Sequence, residues 1–158
     1  MELDAFDRRL LVMVQENAQL TAEQLSTSVA LSPSAIQRRL RRLREQGVIA
    51  RDIAVLDPRK AGKPTFFVVS LQVERERPEL LAGLRKWLTT EPGIQQAYYV
   101  TGEADFVLVI AAPDTETFEG LMQRLLAENG NVRKFTTNVA LGLIKQGLTI
   151  PIADDAGG

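Results

Sequence analysis

The first 46 residues contain three short stretches in which hydrophobic positions recur with the period of an α-helix. They predict a first helix over Asp4–Gln15, a second over Ala22–Val29 and a third over Pro33–Gln46. Capping signals precede each stretch: an Asp, a Thr-x-x-Gln capping box, and a Ser-Pro pair. Because the turn before the third helix is so short, the last two helices must cross steeply, as in a helix-turn-helix module.

After this module the helical periodicity of the hydrophobic positions ends. Residues 48–56 predict a short β segment, which would be the wing of the module or a connecting strand. Asp57, Pro58, Gly62 and Pro64 follow, and they predict a linker because proline and glycine interrupt regular elements.

Beyond the linker, runs of β-branched and aromatic residues alternate with amphipathic stretches. The predicted elements, in chain order, are a strand over Phe66–Val73, a helix over Pro78–Leu88, strands over Ile94–Thr101 and Asp105–Ala111, a helix from Asp114 to Glu128 and a strand over Val132–Ile144. This βαββαβ order predicts a ferredoxin-like domain, with an antiparallel sheet and both helices on one face. Since the other face is left uncovered, we expect a second copy of the chain to bury it.

The fold class is therefore α+β, with an N-terminal winged helix-turn-helix and a C-terminal ferredoxin-like βαββαβ domain. The predicted divisions are the helix-turn-helix module at 1–50, a connecting strand and linker at 51–65, the βαββαβ domain at 66–146, and a tail at 147–158. Residues 154–158 are predicted to be disordered. Of the aromatic residues, Trp87, Tyr98 and Tyr99 are predicted to pack, although one tyrosine of an alternating pair must face away from the helices.

Composition excludes several classes of function. The chain of 158 residues has no cysteine and no histidine, which removes disulfides, thiolate nucleophiles, imidazole bases and the commonest transition-metal ligands. It has no apolar run long enough to span a membrane, and its N-terminus does not resemble a signal peptide. The sequence thus predicts a cytoplasmic protein with no membrane partner, no cofactor, no metal site and no catalytic residues.

The distribution of charge favours a nucleic-acid partner even though the net charge is −1. Residues 1–60 carry ten basic and eight acidic side chains, whereas residues 61–158 carry nine and twelve. Five arginines and a single acid fall between Ser32 and Gln46. The positive charge is therefore concentrated on the third predicted helix.

On that helix, Ile36, Leu40 and Leu43 form a narrow apolar stripe that predicts a buried face. The remaining faces are polar, and we predict that they contact double-stranded DNA in the major groove. The predicted contacts are Ser34, Ala35, Gln37, Arg38, Arg39, Arg41 and Arg42. The alternative is a merely solvated face, and Arg39 can instead pair with a carboxylate of the first helix such as Asp7.

Several segments resemble the leucine-responsive/asparagine regulator family, Lrp/AsnC, across nearly the whole chain, to about Gln146. The resemblance is carried by Leu31–Arg39, Arg41–Leu43, Gln46–Ile49, Leu3-Asp4 with Asp7, Leu56–Pro58 and Val100–Phe106. The last of these is similar to the Gly-x-x-Asp-Tyr/Phe turn of the family. The resemblance implies dimers joined back to back through their sheets, and dimers that assemble into tetramers or octamers.

The resemblance also implies that a small-molecule effector, an amino acid or a similar metabolite, binds between dimers beside the turn that joins the second and third strands. Carried onto this sequence, the site involves Thr101, Gly102, Glu103, Asp105, and Thr136 or Thr137. A glycine turn can expose N–H groups to a carboxylate, and an aspartate can accept from an ammonium group. Alternatively, the glycine simply supplies a positive φ and the aspartate caps the reversal.

Two other functions compete with an effector-responsive, sequence-specific regulator of transcription. The first is an architectural protein that bends or compacts DNA without any ligand. The second is an enzyme, since chains similar to this family decarboxylate tetrapyrroles. Those chains rely on histidines, and this sequence has none.

Overall fold

The computed structural model describes residues 2–74 and 77–152. Its contacts divide the chain into two compact units, Met1–Val55 with Lys145–Gly158, and Leu56–Ile144. The predicted disordered residues 154–158 lie outside the described residues. Residues 147–152, predicted as part of the C-terminal tail, belong to the first unit, and so do residues 145 and 146, which were predicted as the end of the βαββαβ domain.

The first unit contains α1 (Ala5–Glu16), α2 (Ala22–Ser26) and α3 (Pro33–Glu45). Each helix begins at a predicted capping residue, and the first two begin with complete capping boxes. The second helix ends three residues before the predicted Val29. The hydroxyl of Thr27 donates to the carbonyl of Gln24 at 2.7 Å, which terminates the helix with a local side-chain bond.

The three helices enclose one hydrophobic core, to which the stripe on α3 contributes Ile36, Leu40 and Leu43 as predicted. Gly47 follows α3 with φ +72°, the left-handed residue expected at a helix C-terminus. The β segment predicted over residues 48–56 is wrong, since this fully described stretch forms no strand. Asp52 in it pairs with Arg44 at 3.0 Å.

The second unit has the predicted βαββαβ order. Its elements are β1 (Thr65–Val73), α4 (Pro78–Thr90), β2 (Ile94–Tyr99), β3 (Phe106–Ala112), α5 (Thr115–Glu128) and β4 (Val132–Val139). The strands form one antiparallel sheet in the order β2-β3-β1-β4. β4 ends at Val139, which pairs with Phe67, and not at the predicted Ile144. The N–H of Ala140 still donates to the carbonyl of Phe66 at 2.8 Å, and residues 141–144 form no strand.

The two faces of this sheet differ in their environment. Phe67, Val69 and Leu71 of β1 are buried beside α4 and α5 in a second hydrophobic core. The alternate residues Val68 and Ser70 are only partly buried and face the opposite side, which carries neither helix. The expectation of one covered and one open face is therefore confirmed.

Candidate nucleic-acid interface and ligand site

Helix α3 is held to α1 by a carboxylate as well as by its apolar stripe. Asp7 of α1 is 1% exposed, and its two oxygens accept from Nη1 of Arg39, at 2.9 Å, and from Nη2 of Arg42. Asp4 accepts from the same Arg39 nitrogen at 2.7 Å. These four side chains, which we call the Asp7 cluster, join the start of α1 to the middle of α3.

The electrostatics of the Asp7 cluster follow from these contacts. The backbone N–H of Asp7 and then the guanidinium of Arg39 hold the pKa of Asp4 below its ordinary value of 3.8. The same ion pairs raise the pKa of Arg39. The guanidinium carbon of Arg39 also lies 5.5 Å from the ring centroid of Phe6.

The pairing of Arg39 with Asp7 confirms the alternative weighed for that arginine. The partner of Arg42 was missed, since this residue was placed among the outward arginines. A signal was present in the sequence: Arg39 and Arg42 are three residues apart, and so are Asp4 and Asp7. Residues at this spacing share a helix face, and two such pairs of opposite charge can meet across a helix interface.

The outward part of α3 is arranged differently. Ser34, Gln37, Arg38 and Arg41 are exposed, and Ala35 is half-buried. Within residues 2–74 and 77–152, the side chains of Arg38 and Arg41 make no ion pair, hydrogen bond or ring contact. The helix thus presents two unpaired guanidinium groups beside small and amide side chains at its N-terminal half.

The predicted effector turn lies between β2 and β3. Gly102 has φ +120°, which supports the conformational role considered for it. Asp105 binds main chain: its Oδ2 accepts from the N–H of Val73 at 2.7 Å, and its N–H donates to the carbonyl of Leu71 at 2.8 Å. The turn is held further by Gln72, whose Nε2 donates to the carbonyl of Glu103 at 2.6 Å.

The turn also leaves polar groups accessible. Thr101, Gly102 and Glu103 are exposed. In the part of the chain that the structure describes, Oδ1 of Asp105 makes no hydrogen bond. Asp105 therefore closes the reversal with one oxygen and retains the other for a second donor.

The two threonines of β4 lie on opposite faces of the sheet. Thr136 pairs with Ser70 and shares its open face, whereas Thr137 pairs with the buried Val69. The hydroxyl of Thr137 is buried and has no hydrogen-bond partner among the described residues. Only Thr136 is therefore placed to line a site on the open face.

The tyrosines of β2 also separate. Tyr98 pairs with Val107 on the open face, which confirms that one tyrosine faces away from the helices. Tyr99 packs against the buried Phe106, with ring centroids 5.1 Å apart, and Arg85 lies over its ring. Both tyrosines border a shallow pocket of about 280 Å³ that the sequence did not predict.

Comparison with known proteins agrees with this geometry. Residues 3–50 match the profile of a winged helix-turn-helix DNA-binding domain, and residues 67–150 match that of the Lrp/AsnC ligand-binding domain. The two units therefore define a transcriptional regulator in which a DNA-binding module is joined to a ligand-binding domain. The chain belongs to the Lrp/AsnC family.

Individual relatives cover almost the whole chain. An uncharacterized HTH-type transcriptional regulator of Sinorhizobium fredii is 40% identical over 152 residues, 96% of this chain and 90% of the relative. The crystal structure of an AsnC family transcriptional regulator from Agrobacterium tumefaciens has a TM-score of 0.82 at 28% identity, covering 94% of this chain and 96% of that one. The L-methionine complex of a transcriptional regulator from Neisseria meningitidis has a TM-score of 0.81 at 27% identity, covering 95% and 97%. Across the described residues, no helix is long and apolar enough to cross a bilayer.

Proposed function

We propose that this regulator reads DNA in the major groove through the outward part of α3, with Arg38, Arg41 and Gln37 as the base or phosphate contacts. Ser34 and Ala35 then allow the helix backbone to approach the base edges. Arg39 and Arg42 have a different part in this proposal. They orient the helix through Asp7, and any contact they make with phosphate is secondary.

The observation that carries the proposal is the division of the arginines on one helix. A guanidinium in a hydrogen-bonded ion pair must give up that pair before it can bind a base bidentately. Arg38 and Arg41 have no such pair to give up within the described residues. Among the arginines considered on α3, these two therefore lose the least free energy when they bind guanine or phosphate.

The test is a binding titration of labelled DNA from the region upstream of the gene, with random DNA as competitor. Arg38→Ala and Arg41→Ala should each weaken specific binding by roughly 1 to 3 kcal/mol. Arg124→Ala removes an exposed arginine of the second unit, one that pairs with Glu91, and should leave binding unchanged. Equal affinity of the unsubstituted protein for upstream and random DNA would refute sequence-specific recognition.

For the second unit, we infer that an amino acid binds beside the β2–β3 turn. Exposed N–H groups at Gly102 and Glu103 suit a carboxylate, and the free Oδ1 of Asp105 suits an ammonium group. The hydroxyl of Thr136, or that of Thr101, supplies a further polar contact. The L-methionine complex of the Neisseria meningitidis relative supports an amino acid as the class of ligand.

A thermal-shift screen of free amino acids, beginning with L-methionine, tests this inference, since a ligand that prefers the native state raises its stability. Thr136→Val should reduce the shift produced by the bound amino acid. Thr137→Val, on the opposite face, is the matched control and should preserve it. The absence of a shift with every amino acid would favour the architectural alternative.

We further propose that the chain assembles into dimers through the open face of its sheet, and that these dimers form tetramers or octamers. Val68, Val107, Val109 and Tyr98 form an apolar patch on the part of that face contributed by β1, β2 and β3, and an exposed apolar patch marks an interface. The protein then acts in the cytoplasm as a regulator without catalysis. A Val107→Lys variant that retains the mass of the unsubstituted assembly in light scattering would contradict this interface.

A further inference from the structure

The segment that follows the ligand-binding unit returns to the DNA-binding unit. The chain leaves the first unit after Val55 and re-enters it at Lys145. There, the side chain of Gln15 in α1 bonds to both main-chain groups of Ile150. Its Nε2 donates to the carbonyl of Ile150 at 3.0 Å, and its Oε1 accepts from the N–H of Ile150 at 3.0 Å.

Apolar contacts accompany this pair of hydrogen bonds. A cavity of about 730 Å³ lies between α1, the stretch 48–55 and the segment Gly147–Ile152, which forms one of its walls. Leu11 and Val14 form part of its wall, and Ile152 packs against the hydrophobic core of the unit. The surface formed by α1 and residues 48–55, which we call the groove, therefore holds the segment through the main chain of Ile150 and the side chain of Ile152. The cavity is the space left beside the docked segment.

The mode of contact is that of peptide recognition. Gln15 binds only main-chain groups of Ile150 and reads no side chain, and a sheet edge recognises an added strand through main-chain groups as well. The docked residues stay largely accessible: Leu148 is 59% and Ile150 67% exposed. A contact with so little burial belongs to the weakly held part of a structure and can open without unfolding the unit.

We propose that the groove between α1 and residues 48–55 is a docking site for the segment Gly147–Ile152 of the same chain, and that docking tethers the DNA-binding unit at a second point. Without it, the chain joins the two units only between Val55 and Leu56. With the segment docked, both ends of the ligand-binding unit are attached to the DNA-binding unit. A displacement of either end of the ligand-binding unit then also displaces the DNA-binding unit.

Because of where the groove lies, the docked segment can act as a tether but does not block the proposed DNA contacts. None of its lining residues comes from α3, so the docked segment leaves Arg38, Arg41 and Gln37 accessible. The docked state is therefore compatible with bound DNA. Because it restricts the freedom of the unit before binding, it should strengthen binding to DNA that engages two units of an assembly.

The docking itself is tested without DNA, by the distance between two spin labels. The chain has no cysteine, so Arg9→Cys and Thr149→Cys provide the only attachment points. We expect one narrow, short distance, unchanged when labelled protein is diluted and reassembled with unlabelled protein. Gln15→Glu should broaden it, because a carboxylate cannot donate to the carbonyl of Ile150, whereas the exposed Gln19→Ala is the matched control.

The consequence for DNA is tested in the unlabelled full chain and rests on the DNA-binding function proposed above. Gln15→Glu, and truncation after Gln146, should weaken binding to footprinted upstream DNA with two half-sites by at least about fivefold. Truncation after Ile152 is the control and should have no effect. Binding to a single half-site should be much less affected, which separates tethering from general destabilisation of the unit.

Each outcome is decisive. A broad distance in the unsubstituted protein, or a short one lost on dilution, overturns docking within the same chain. If the segment is released but the affinity for DNA with two half-sites is unchanged, the tether proposal is wrong. If the unsubstituted protein binds no DNA, the DNA-binding proposal fails together with the tether, while the label distance still decides the docking.

Discussion

Removal of the Asp7 carboxylate should be the most damaging single polar substitution in the DNA-binding unit. Asp7→Ala leaves Arg39 and Arg42 facing each other without their shared acid, and breaking a buried ion pair costs about 3 to 5 kcal/mol. The two arginines are 24% and 43% exposed, so water recovers part of that loss. We therefore expect a decrease of about 2 to 4 kcal/mol in the free energy of unfolding of this unit.

Asp4→Ala is the matched control because Asp4 belongs to the same cluster but is half exposed. It removes an N-cap, worth about 1 kcal/mol, and a surface ion pair worth less than about 1 kcal/mol. Asp7→Ala should therefore destabilise clearly more than Asp4→Ala. A buried acid and an exposed acid are compared in this way at positions three residues apart.

Urea unfolding followed by two signals makes the measurement. The single tryptophan, Trp87, lies in the second unit, so its fluorescence reports that unit, whereas far-ultraviolet circular dichroism reports helices of both. Asp7→Ala should lower the midpoint of the dichroism transition and leave the fluorescence transition in place. A loss below 1 kcal/mol, or one equal to that of Asp4→Ala, would refute the assignment of Asp7 as the anchor of α3.

Three further outcomes follow from the same geometry. Thr137→Val should leave stability unchanged or raise it by up to about 1 kcal/mol in thermal unfolding, because it replaces a buried hydroxyl that lacks a partner; a clear loss would reveal a hidden partner. The pKa of Asp4, measured by NMR titration, should lie below 3.8. Since its folded pKa is depressed, the stability it contributes is complete above 3.8 and disappears as the pH falls through the lowered value; a pKa at or above 3.8 would contradict the ion pair. Finally, Arg38→Ala with Arg41→Ala should reduce the salt slope of DNA binding by up to about 1.8 per protomer, at about 0.9 per phosphate contact, whereas Arg42→Gln should leave the slope nearly unchanged.

The sequence predicted those elements whose signals are local. Caps at Asp4, Thr21, Ser32 and Asp114 fix helix starts to the residue, because each cap bonds to a backbone group only two or three positions away. The end of β4 was predicted too late because the extent of a strand depends on its pairing with a partner strand as well as on its own residues. That partner lies more than sixty residues away in the chain, so no local pattern records it.

The docked segment was missed for a related reason. Leu148, Ile150 and Ile152 alternate with polar or small residues, but the stretch is too short and too near the end to separate from a tail. The segment is held in place by Gln15, which is 135 positions away from Ile150 in the chain. A polar residue in a helix does not indicate by itself that it binds a distant segment. A side chain that binds main chain leaves no sequence pattern in its partner, because every residue offers the same two groups.

The arginines of α3 show how far helical periodicity can lead toward function. Periodicity fixes the direction of each Cα–Cβ bond, and it correctly separated the buried stripe from the polar faces. It does not fix the guanidinium group, which a long flexible stem can carry around the helix toward an acid. Arg42 does this to reach Asp7, while Arg38 and Arg41, farther around the helix, do not. The acids of α1 thus decide which arginines of α3 remain unpaired, and the proposed DNA-binding surface is defined by two helices, only one of which would touch the duplex.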